Sequence, residues 1–155
     1  MTKRSLYFVS FEPIKKYRCY LSMDAVIDSN KDLEPLLSEA PKIYENAITR
    51  INFLIFDIKA ARSKHKPVVA RKIWDVGDAI FTLRDELEEL GLELDGIYDH
   101  LTRDLRVKRK WLEKVIILRR YLPEKELIPE SLNWGRCEKG TRRVAEQIKA
   151  GLYPS

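Results

Sequence analysis

Between residues 67 and 90 the apolar side chains fall at Val69, Ile73, Val76, Ile80, Leu83, Leu87 and Leu90, alternating steps of four and three without a miss. That spacing places all of them on one stripe of an α-helix. A strand would split the set, sending members three apart to opposite faces, so this stretch admits only a helix. Trp74 and Phe81 widen the stripe, and Gly91 supplies a C-cap. At ~1.5 Å per residue the helix is on the order of 35 Å long, enough to be the spine of a domain. A narrow seam of this kind also suits an intermolecular coiled coil, so the pattern admits a homodimer.

The rest of the chain from Asp32 onward has the same period. Asp32 and Ser38 can cap a helix whose first turns tolerate Pro35 and Pro41. Ile43, Ala47, Ile51, Leu54, Ile55 and Ile58 trace one face over about 20 residues, and Ser63-Lys64-His65-Lys66-Pro67 ends it. The sequence then predicts a short helix over 95–104, a turn at Leu105-Arg106-Val107 and a helix over 108–122 stopped by Pro123. A loop over 123–129 and a last helix over 141–150, capped by Thr141 and ended by Gly151, complete the chain. The first 27 residues differ, since 6–11 and 17–23 are aromatic-rich and β-prone. The expected fold is mainly α: a helical bundle with a helix-turn-helix-like unit and a short N-terminal β-hairpin or extended arm. Residues 1–30 form the arm and 31–155 a single helical domain.

Charge is distributed unevenly. Asp85, Glu86, Glu88, Glu89, Glu93, Asp95 and Asp99 follow one another with no Lys or Arg between them. Immediately after, Arg103, Arg106, Lys108, Arg109, Lys110, Lys114, Arg119 and Arg120 stand against only Asp104 and Glu113. Leu101, Leu105, Val107, Leu112, Val115 and Ile116 occupy the buried positions of a helix-turn-helix, which leaves these cations outward and suits them to a phosphate backbone. Lys108, Arg109 and Lys110 fall in the first turn of the would-be recognition helix, where cations are slightly unfavourable to the helix dipole. Glycine is common at the turn; here it is Arg106, which must either tolerate an unusual backbone or adopt a different turn. The expected partner is nucleic acid, with duplex DNA first.

Three stretches, IWDVGDAI (73–80), IYDHLTRDLRVKRKWLEKVIILRRYLP (97–123) and LIPESLNWG (127–135), carry a resemblance. They are similar to the helical N-terminal domain of YhcG-like bacterial proteins, with its Trp-x-x-Gly helix, Leu-x-x-Asp-Leu turn, aromatic-Tyr-Pro helix end and Leu-x-Trp segment. The resemblance covers about half the chain and implies a DNA-associated module of the kind placed before a PD-(D/E)xK nuclease domain. The nuclease signature itself has no counterpart here, so no catalytic residue carries over. Neither the acidic stretch 85–95 nor the arm belongs to the pattern.

No enzyme is expected. The chain has no Gly-rich phosphate loop, nucleophile elbow or Cys/His cluster, and no cofactor pattern. Glu86, Glu89 and Glu93 share a helix face but lack a partnering His, so they read as solvated. Trp74 and Gly77 read as core and close helix packing, Trp111 as a seam filler, Trp134 as a loop anchor. His100 reads as a satisfied histidine, and His65 as an extension of the positive surface. No apolar run reaches the roughly 18–20 residues of a membrane span, and no secretory signal is expected at the N-terminus. Cys19 and Cys137 lack metal spacing and are too few for a disulfide scaffold, which predicts a reduced cytoplasmic setting. Two alternatives stay open: a protein–protein adaptor docking through the 67–90 stripe or the arm, and an RNA-binding helical bundle.

Overall fold

The 67–90 stripe forms the helix it predicts, α2 (Ala70–Glu89). Its members Ile73, Val76, Ile80, Leu83 and Leu87 are buried within the chain itself, so the seam is already occupied rather than open to a coiled-coil partner. The structure, a computed structural model, describes residues 7–14, 16–22, 33–91 and 96–153, with side chains from Ser38 onward. The Asp32 cap and the acidic positions Glu93 and Asp95 lie outside the described residues. Around α2 the order is β1 (Tyr7–Ile14), β2 (Lys16–Ser22), α1 (Leu33–Ser63), then α3 (Ile97–Leu105) and α4 (Arg109–Tyr121). A 3-10 turn (Lys125–Leu127), α5 (Trp134–Glu138) and α6 (Thr141–Lys149) follow. The fold is mainly α, as expected, and β1 pairs antiparallel with β2.

The chain divides into two compact units, Met1–Thr49 with Phe81–Arg106, and Arg50–Ile80 with Val107–Ser155. The division runs through α1 and α2.

In the first unit, α1 is longer than its expected 20-residue stretch, since one helix runs from Leu33 to Ser63 with Pro41 inside it. Proline there forfeits an i→i−4 bond, at roughly 3 kcal/mol. Burial of Tyr44 and Ile48 just beyond it offsets that, at ~1.5–3 kcal/mol for a large apolar side chain. The inward face in this half is Ala40, Tyr44 and Ile48, one residue round from the expected Ile43 and Ala47. Tyr44 explains the rotation: its hydroxyl donates to Asp104 Oδ2 at 2.6 Å, which fastens α1 to α3. Arg84 fastens α2 to α3 similarly, donating to the Tyr98 hydroxyl at 2.8 Å while lying over the Tyr98 and Phe81 rings.

In the second unit, α4 packs on α2 so closely that a Cβ at Gly77 would sit 2.8 Å from Arg119 Cβ and 3.0 Å from the Val115 carbonyl oxygen. The chain leaving α4 is then stitched along the first turns of α2. Trp74 Nε1 donates to the Leu122 carbonyl at 2.6 Å, and Arg71 Nε to that of Ile128 at 2.8 Å. Lys125 Nζ lies 2.8 Å from Asp75 Oδ1. The Ala70 and Trp134 amides donate to Leu132 and Val68 at 2.8 Å each, closing an isolated bridge between Val69 and Asn133. These bonds satisfy backbone groups that an unstructured loop would leave to water. Trp134 is buried, as the anchor reading requires, and it also opens the unforeseen α5.

Helix ends repeat one device. His65 takes a left-handed φ of 55°, its amide bonding Arg62 O and that of Lys66 bonding Ala61 O, a Schellman end before Pro67. Gly151 ends α6 the same way, its amide bonding Ile148 O and that of Leu152 bonding Gln147 O. The start of α6 corrects the sequence reading. Its N-cap is Gly140, and Thr141 Oγ1 donates back to the Cys137 carbonyl at 3.0 Å instead of accepting from the helix.

Two outcomes follow from this packing. Gly77→Ala is expected to destabilise the fold by about 1–3 kcal/mol in urea melts, the cost of forcing an atom into a packed seam. Gly135→Ala, whose added Cβ meets nothing within 4 Å, leaves stability unchanged or slightly raised. Equal effects would contradict the packing. Second, burial pushes the Cys137 thiol up from 9.0 to about 11. Folding thus favours the neutral thiol, a contribution intact below about pH 9 and lost as pH climbs toward 11. In a Cys19→Ser background, maleimide at pH 7.5 is expected to label Cys137 only as fast as the protein opens, and labelling within seconds would refute its burial.

Candidate nucleic-acid interface

The eight cations between Arg103 and Arg120 divide by what holds them. In the first unit, Arg103 lies 3.5 Å from Asp104 Oδ1 and 3.3 Å from His100 Nδ1, beside a buried His100. Arg106 closes α3 at φ 54°, ψ 46°, its amide bonding the carbonyls of Arg103 and Thr102. Of the two turns open to it, the unusual backbone is the one adopted. Its side chain is exposed.

In the second unit, α4 buries Leu112, Val115, Ile116 and Leu118, which fixes what its other positions can do. Arg119 belongs to the packed side: 20% exposed, it lies 3.0 Å from Asp78 Oδ1 and over the Trp74 ring at 5.1 Å. Its charge is used within the unit. Arg109 pairs one turn along with Glu113 at 3.3 Å, a surface pair of small worth. Lys108, Lys110 and Arg120 are exposed and Lys114 half-exposed, and none of them has an ion pair among the described residues. Lys108 is the N-cap of α4 without a side-chain cap bond, and the first turn of α4 holds no acidic residue. The helix therefore begins with cations on its positive end, a local cost of a few tenths of a kcal/mol that an anion would reverse.

Lys110, Lys114, Ile117 and Tyr121 succeed one another at helical spacing along one stripe of α4. That stripe runs past α6, where Lys139, Arg142 and Arg143 join the positive surface. Sequence reasoning treated 141–150 as a packing helix and missed these three. The signal was the run KGTRR (139–143) after a buried cysteine, readable only once α6 is known to pack on α4.

The tryptophans take structural roles. Trp74 and Gly77 are core and close packing, as read. Trp111 is half-buried, and its indole N–H, like that of Trp134, is buried with no partner among the described residues. Glu86 and Glu89 are exposed. No helix among the described residues is long and apolar enough to cross a membrane. No family model, curated protein or solved structure matches the chain.

Arg106 gives a direct test of this turn. A non-glycine residue in the left-handed region is strained, so Arg106→Gly is expected to raise stability by about 0.5–1 kcal/mol in thermal melts. A loss of stability would mean that the turn has another conformation.

Proposed function

We propose that this protein binds nucleic acid, duplex DNA first, through the cations of α4, in a regulatory or accessory role within a mobile-element or defence system. The proposal includes kinship with the helical N-terminal domain of YhcG-like proteins and a reduced, cytoplasmic setting. One observation carries it: Lys108, Lys110, Lys114 and Arg120 stand outward on a helix whose opposite face is fully packed, with no ion pair among the described residues. The packed face fixes the backbone that carries them, so a phosphate strand has only their side chains to order. The Arg109–Glu113 pair contributes more weakly. Arg119, held by Asp78, stands outside the proposed surface.

A second reading has its own observation. Phe53 and Phe56, one turn apart on α1, are 70% and 69% exposed, and exposed aromatics on a helix suit a protein partner. The adaptor reading therefore rests on this pair and no longer on the α2 stripe, which is buried.

Salt-titrated binding separates the readings. With roughly four to six phosphate contacts, affinity for a duplex is expected to fall about 10²–10³-fold between 50 and 200 mM salt. Lys108→Glu with Lys110→Glu is expected to abolish binding while leaving the melting temperature within a few degrees, since a glutamate at a helix start is favourable. Binding to RNA alone would transfer the proposal to RNA. Failure of duplex, single strand and RNA at low salt would leave the adaptor reading.

A further inference from the structure

We infer that the cleft between α4 and α6 is a second phosphate site, taking a backbone phosphate of the nucleic acid that α4 engages; the inference rests on the nucleic-acid reading above. The cleft has a volume of about 450 Å³ and is open to solvent. Lys114 and Ile117 of α4 form one wall, and Lys139, Arg142 and Arg143 the other. Two carboxylates, Glu138 and Glu146, also line it.

The charges do not cancel. Arg142 Nε lies 3.3 Å from Glu146 Oε1, and its guanidinium lies over the Tyr121 ring at 5.7 Å. That arginine and that glutamate are thus each other's partners. Lys114, Lys139 and Arg143 have no ion pair among the described residues and face Glu138 as the one carboxylate left. Cations gathered from two elements in one concavity raise the local potential more than the same charges on a flat surface. An anion relieves that repulsion, and the cleft is roomy enough for a hydrated phosphodiester, given ~30 Å³ for each water.

Position decides which anion. Lys114 belongs both to the cleft and to the α4 stripe that starts at Lys110, so the cleft continues the surface already assigned to nucleic acid. A strand lying along α4 therefore passes its next phosphate to Lys139 and Arg143. These residues lie outside α4 and are exposed, so their removal leaves the α4 cations in place.

The test is fluorescence anisotropy of the full chain on a labelled duplex between 50 and 200 mM salt, comparing the parent protein with Lys139→Ala/Arg143→Ala. Loss of one phosphate contact is expected to weaken binding about fivefold or more and to make the salt slope shallower by about 0.9, at an unchanged melting temperature. Unchanged affinity and slope, with Lys108→Glu/Lys110→Glu still abolishing binding, would overturn the cleft site and keep the α4 reading. No binding of the parent protein to duplex, single strand or RNA would overturn both. If the double variant instead loses a polyglutamate peptide while holding the duplex normally, the cleft is a protein site and the inference fails.

Discussion

The approach of α4 to α2 at Gly77 is the constraint on which the second unit depends. A hydrogen in place of a side chain lets Val115 and Arg119 close on the α2 backbone. The same turn of α2 offers Asp78 to the Arg119 guanidinium and Trp74 to its face. Trp74 then reaches the Leu122 carbonyl at the end of α4. Packing, ion pair, ring contact and hydrogen bond all bear on one seam, and each limits how α4 can rotate about its axis. A helix fixed in rotation presents a fixed outward row. The positions of Lys108, Lys110, Lys114 and Arg120 are thus consequences of a seam they do not touch.

Packing and backbone bonding account for the residues of the resembling pattern that lie in this unit. Trp74, Gly77, Leu132 and Trp134 are architectural here: they bury, bond backbone or allow close approach. A pattern made of such residues speaks to how helices meet. The exposed cations are a separate matter, since function lives in the site rather than the scaffold.

Legibility followed the range of the interactions involved. The α2 helix was readable because a stripe in steps of three and four is local information. Pro123, Gly151 and the odd backbone at Arg106 were readable for the same reason. On α1 the expected Ile51, Ile55 and Ile58 are buried, but the inward face of its first half differs from the local pattern because Tyr44 is chosen by Asp104, 60 residues away. Pro41 suits an early turn by local propensity, which says nothing of the burial that offsets it inside α1. Thr141 has the chemistry of a cap, but its hydroxyl donates to the Cys137 carbonyl, an acceptor that only the turn after α5 brings near. At the candidate interface the sequence found the basic segment but could not sort it. Arg119 and Arg120 are adjacent, yet one is held by Asp78 and the other stands in solvent. Lys139 and Arg143 joined the surface only through the packing of α6 on α4.

The central claim is that the outward row of α4 meets a polyanion, and lysine footprinting in the presence of duplex DNA tests it residue by residue. Acetylation read by mass spectrometry should show Lys108, Lys110 and Lys114 protected by the duplex, with Lys42, Lys59 and Lys72, exposed on α1 and α2, reacting as before. Uniform reactivity with and without DNA, or protection confined to the α1 and α2 lysines, would contradict the account.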